Sequence, residues 1–242
     1  MKYKIGVFFF VPLLISMVTA GCAARSAKAS GFADARKLQA VDHEIPFKKG
    51  WAKINFEEHQ RYKNIYIAPV NIDYLFEKGW WKNLERGHKV KEDARNLALY
   101  AHEALVEAFK NDPSHRFNVV DQPAPDTVIL EFGIVELVPN KIFLKVASLA
   151  PYGGGLVRLL SMTNRSTVAF EARFRDAETW EVIMLLADRE AEKAHILNFK
   201  DYVWYAHARS IIREWSMQMV VMCNKGPHDM IKDSRKFELK PW

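Results

Sequence analysis

From Ser166 to Arg175 the chain alternates, with Val168, Phe170, Ala172 and Phe174 on one side and Thr167, Glu171, Arg173 and Arg175 on the other. Successive side chains of a β-strand point to opposite faces, so the pattern commits one face to a core and predicts charge on the other. A turn at Asp176 to Thr179 leads to a second strand from Trp180 to Arg189. A two-stranded hairpin is barely stable by itself in water, so the chain must supply more strands and a layer to cover the apolar face.

That layer is legible as two helices. Between Val90 and Phe109 the apolar positions Leu97, Ala101, Ala104, Leu105 and Ala108 recur at three and four residues, with Lys91, Glu92, Arg95 and Glu103 on other faces, and Asn111-Asp112-Pro113 ends the run. From Phe199 to Cys223 a stripe of Trp204, Ala208, Ile211, Ile212, Trp215, Met219 and Met222 is wide enough for a core-facing surface, and Gly226-Pro227 stops it. Further strands are predicted over Tyr62 to Leu75, Phe117 to Val120 and Thr127 to Val138, with Pro69 placing the first at an edge or a bulge. Residues 35 to 60 read as loosely structured. The expected fold class is α+β: a mostly antiparallel sheet with two main helices on one face, in a single domain over 61–223, with a polar tail over 224–242. The charged half of the alternating strands is expected on the opposite face.

The N-terminus is of a different character. Lys2 and Lys4 precede an uncharged stretch from Ile5 to Val18, the order of a secretory signal peptide. A membrane span needs roughly 20 apolar residues, and Pro12 weakens a helix here, so excision of residues 1–21 is the expectation. The segment Val18-Thr19-Ala20-Gly21-Cys22 resembles the lipobox of bacterial lipoproteins, with Thr19 where leucine is more usual. The resemblance implies cleavage before Cys22, a diacylglycerol on its thiol and an acyl chain such as palmitate on the new amine. One acyl chain binds a bilayer marginally, whereas three hold firmly. Ala23 stands where an aspartate commonly signals retention in the inner membrane, so the resemblance favours the periplasmic face of the outer membrane.

Removal of 21 of the 242 residues leaves 221, and the loss of Lys2 and Lys4 lowers the net charge from +6 to +4. Residues 22–60 are expected to hold the lipidated cysteine and a flexible tether, small and polar from Ala23 to Asp34. Cys223 is the only other cysteine, so a lipidated Cys22 excludes an internal disulfide, and Cys223 is expected as a small buried hydrophobe.

The strand Ile65-Tyr66-Ile67-Ala68-Pro69-Val70, the triplet Pro125-Asp126-Thr127, the hairpin around Phe174-Arg175-Asp176-Ala177-Glu178-Thr179 and the helix segment Ile212-Arg213-Glu214-Trp215 together resemble a bacterial lipoprotein family with a domain of unknown function. The likeness covers roughly residues 22 to 223, and it implies a location without an activity.

Chemistry-bearing motifs do not complete. His102-Glu103 lacks the second histidine of His-Glu-x-x-His, and the other histidines are scattered singly, so no metal site is expected. No Gly-x-Ser-x-Gly frame surrounds Ser148 or Ser161, and Gly153-Gly154-Gly155 is followed by Leu156-Val157-Arg158 rather than the Lys-Ser or Lys-Thr of a phosphate loop. The acids of Asp188-Arg189-Glu190-Ala191-Glu192 read as a solvated strand face. No cofactor or catalytic residue is assigned. Nucleic acid is not an expected partner of an exported chain at +4. The apolar loop through Tyr152, Leu156, Val157, Leu159 and Leu160 is the candidate partner-contacting element. The sequence thus points to a non-enzymatic envelope lipoprotein, held on the membrane through Cys22, that binds or helps assemble another envelope component. The alternative is an anchored enzyme acting on cell-wall or lipid material.

Overall fold

The computed structural model of the chain describes residues 29–41, 45–77, 79–85, 88–138, 166–191 and 205–226. The expected hairpin lies at its centre: β6 (Thr167–Asp176) pairs antiparallel with β7 (Val182–Ala191) and, on its other side, with β5 (Thr127–Val138). Beyond β7 the sheet continues antiparallel through β2 (Lys49–Ala52) to β1 (Gln39–Ala40). Beyond β5, β3 (Asn64–Ile67) and β4 (Asn118–Val119) join in parallel. The order is β1-β2-β7-β6-β5-β3-β4.

The class is α+β, but the sheet is mixed rather than mostly antiparallel. The reason lies between β3 and β4, which are connected by a long helix, α3 (Lys89–Lys110). A crossover helix returns the chain in its original direction, whereas a tight turn reverses it. The predicted strand over Tyr62 to Leu75 is also shorter than expected and is not at the edge. The ladder with β5 breaks at Pro69, which has no N–H to give, a single bridge from Asn71 to Gly133 follows, and the chain then turns into a short helix, α2 (Asp73–Phe76). Residues 35–60 are more ordered than their composition suggested, since they supply β1, β2 and a short helix, α1 (Phe56–His59).

Both main helices cover one face, as expected. The second, α4 (Ala206–Asn224), lays Ala208, Ile212, Trp215, Met219, Met222 and Cys223 into the core, while Ile211 is half-buried and Trp204 lies outside the described residues. Under it Phe132 stacks on Phe170 with ring centroids 4.7 Å apart, and Trp215 meets Phe170 edge-on at 4.6 Å. α3 contributes Leu97, Leu105 and Phe109, with Ala94, Ala98, Ala101 and Ala104 allowing close approach. It starts where His88 Nδ1 accepts a hydrogen bond from Val90 N, one of the donors a helix start leaves unpaired. A bulge between Ile134 and Glu136 resets the alternation of β5, so Ile134 and Leu137 both reach this core and Val135 goes to the opposite face.

Two bonds pin the helices side by side and running the same way. Tyr100 Oη donates to Arg209 O at 3.4 Å, and Asn224 Nδ2 donates to Asp112 Oδ1 at 2.7 Å, just past the end of α3. Among the described residues no helix is long and apolar enough to cross a membrane.

Candidate functional site

The second face of the sheet, expected to be simply charged, is where the N-terminal part of the chain docks. Glu171 projects from β6 and is buried to 3% exposure. Three donors of one short segment close on its carboxylate: Ser30 N at 2.8 Å to Oε1, and Ser30 Oγ and Ala33 N at 2.7 Å to Oε2. Gly31, at φ +96°, supplies the left-handed turn that lets residues on both sides of it face the same carboxylate. The ring of Phe32 lies flat on Gly133 of β5, where an added Cβ would come within 3.2–3.3 Å of ring carbons. Tyr74 packs against that ring edge-on, and the Arg173 guanidinium lies over it at 4.2 Å while donating to Phe32 O. The clasp thus joins a buried carboxylate, satisfied by hydrogen bonds, to an aromatic anchor in a glycine slot.

Around the clasp the charges are ordered in pairs. Glu131 accepts from Arg175 and lies 2.7 Å from Arg173 Nε, and Glu136 accepts from Arg189 and from Thr167 Oγ1. Toward the helices, Asp188 is buried, in contrast to the solvated face expected of it. Its carboxylate accepts from Lys48 Nζ at 2.9 Å and from Trp215 Nε1 at 3.0 Å, and Glu190 holds the same lysine at 3.0 Å. The inward turn of Asp188 follows from register, because it stands opposite Phe170 on the core-facing side of the hairpin. Burial opposes the charge on Lys48, but Asp188 and Glu190 outweigh it and raise its pKa.

The space among Ala35, Leu38, Lys49, Glu171 and Arg189 amounts to about 30 Å³, room for a water or so rather than the several hundred Å³ of a small-molecule site. Among the described residues no three His, Cys, Asp or Glu side chains gather as metal ligands. Cys223 is a buried free thiol that desolvation pushes up to about 12, which removes its thiolate at neutral pH. The arrangement holds a segment of the chain's own N-terminal part.

The profile of a family described as a protein of unknown function, DUF3313, matches residues 28–219. The chain belongs to the DUF3313 family. The match begins two residues before the clasp, so the docked N-terminal segment lies within the DUF3313 region. No curated protein matches the sequence. Among solved structures, two of the PelC dodecamer from Paraburkholderia phytofirmans are similar, at 10% and 8% identity, each with a TM-score of 0.36. They cover 66% and 65% of this chain, and 87% and 88% of their own.

Of the residues singled out in the sequence of this DUF3313 chain, Cys22, Tyr152, Leu156, Val157, Leu159 and Leu160 lie outside the described residues. Ser30, Phe32, Gly133 and Glu171 were not singled out as a group. The available signal was Gly133, a glycine inside a strand, which often marks the close approach of another part of the chain. Glu171→Ala is expected to free the segment: the amides of Ser30 and Ala33 should exchange hydrogen at least about fivefold faster, corresponding to about 1–3 kcal/mol of lost local stability, while those of α3 stay unchanged. Site-resolved hydrogen exchange reads both.

Proposed function

We propose that this protein is a bacterial envelope lipoprotein, acylated at Cys22 and held on the periplasmic face of the outer membrane, whose α+β domain binds or helps assemble another envelope component without catalysing a reaction. The observation that carries this reading is the order of the first 22 residues: Lys2 and Lys4, the uncharged run from Ile5 to Val18, and Thr19-Ala20-Gly21 immediately before Cys22. The clasp on Glu171 supports it. Seven residues, Ala23 to Ala29, separate Cys22 from the docked Ser30, which is enough to leave a lipidated cysteine clear of the domain.

The test is acylation and fractionation of the full chain. Wild-type protein is expected to take up labelled palmitate and to stay in the outer-membrane pellet after a high-salt wash. A Cys22→Ala protein is expected to do neither, and its continued labelling or salt-resistant sedimentation would overturn the anchor. Affinity capture from detergent-solubilised envelopes then addresses the binding role through a stoichiometric partner.

A further inference from the structure

We propose that the domain lies on the bilayer with the second face of its sheet, at the β1–β2 side, against anionic lipid headgroups. This rests on the anchor at Cys22 put forward above. Eight residue steps separate Cys22 from Ser30, and an extended chain at about 3.5 Å per residue reaches no further than about 28 Å. Ser30 is fixed to Glu171 on β6, on the side of the sheet away from α3 and α4. From β6 the β1 edge is three strands away, roughly 14 Å at about 4.8 Å per strand, and a helix layer adds about 10 Å. With the helices toward the bilayer, that detour would use up nearly the whole tether. With the second face toward it, the tether is ample.

The charges of this side suit that contact. Arg25 and Lys28 stand in the tether sequence, Arg36 and Lys37 are exposed on the docked segment, and Lys49 is on β2. Four carboxylates around the clasp are already engaged, Asp34 with Arg36, Glu171 with the clasp, Glu136 with Arg189 and Glu131 with two arginines at once, while the exposed Asp73 stands on α2, on the β5 side of the clasp and away from β1 and β2. Lys37 and Lys49 form no ion pair among the described residues, and together with Arg25 and Lys28 they make four cations against two acids, Asp42 and Glu44, in the sequence joining β1 to β2, a net positive balance for an anionic leaflet to attract. Lys37 Nζ also lies over the half-exposed ring of Trp51 at 4.3 Å, and an indole beside cations suits the headgroup level of a membrane. The helix layer, where Leu99 and Met217 are exposed, then faces away from the bilayer.

The experiment uses the full lipidated chain in vesicles of phosphatidylethanolamine and phosphatidylglycerol carrying a nitroxide on a fraction of the headgroups. A fluorophore is attached at Lys37→Cys in one sample and at Glu103→Cys, on the outer side of α3, in another; buried Cys223 does not compete for the label. The label at 37 is expected to be quenched severalfold more strongly than the label at 103, with the difference shrinking in vesicles of phosphatidylcholine at high salt. Equal quenching, or stronger quenching at 103, overturns the orientation. Mass spectrometry of the same samples separates the two readings: acylated Cys22 with equal quenching defeats the orientation alone, whereas an unmodified Cys22 defeats the anchor and the orientation with it.

Discussion

Trp215→Ala is expected to abolish cooperative thermal unfolding. The side chain is buried at 1% exposure, meets Phe170 edge-on and donates to Asp188. Truncating a buried aromatic of this size costs about 3–5 kcal/mol, a large part of the 5–15 kcal/mol that holds a typical domain together. The loss here includes the Trp215 partner of Asp188 Oδ2, which leaves the buried carboxylate with Lys48 Nζ and the Arg189 N–H on Oδ1. Trp215→Phe separates the two contributions, since it retains most of the apolar volume and removes only the N–H, at a cost of about 1–3 kcal/mol. Circular dichroism melts of both variants check this, and an unchanged melt for Trp215→Ala would move the stripe of α4 from core to binding surface.

Mild acid is expected to destabilise the protein through His59. Its imidazole lies beside Arg116, whose Nη2 is 3.5 Å from Nδ1, and edge-on to Phe117. Burial, and then the Arg116 charge, lowers the pKa from 6.5 to about 4. The unfolded chain therefore takes up a proton that the folded chain refuses. The stability from neutral His59 is complete above about pH 6.5 and is lost as pH falls toward 4, on the order of 3 kcal/mol across the window. Urea titrations at pH 7 and pH 4.5 should show most of that loss, and His59→Gln should remove the slope. A slope that survives in His59→Gln would assign it to other groups. Asp176 acts in a lower window. Burial raises its pKa, but hydrogen bonds from Thr179, Tyr62 and Glu178 outweigh this and hold it below the usual carboxylate value, so its contribution is lost only as pH falls below about 4.

The hairpin and both long helices were legible because each carries its period over ten or more residues: Val168, Phe170, Ala172 and Phe174 at every second position, and Leu97, Ala101 and Leu105 about every fourth. Direction was not legible. The same Ile65 and Ile67 would suit a strand running either way, and only the passage through α3 makes β3 and β4 parallel. Nor was the inward turn of Asp188, because an acid in an alternating run looks the same whether water or a tryptophan N–H and a lysine receive it. The clasp was hidden for a related reason. Glu171 is satisfied largely by main-chain donors of Ser30 and Ala33, and a backbone N–H leaves no mark in a sequence.

The clasp also sets an order of events. The carboxylate that secures Ser30 comes 141 residues later in the chain, and β2 waits similarly for β7. Contacts this far apart in sequence cannot form until the later partner has been made, and closing so long a loop is entropically costly. During synthesis Ser30 and Ala33 therefore cannot dock until β6 has been made. For a chain that is to be cut and acylated at Cys22, as proposed here, this delay keeps the processing site accessible early and lets completion of the fold draw in the slack afterwards.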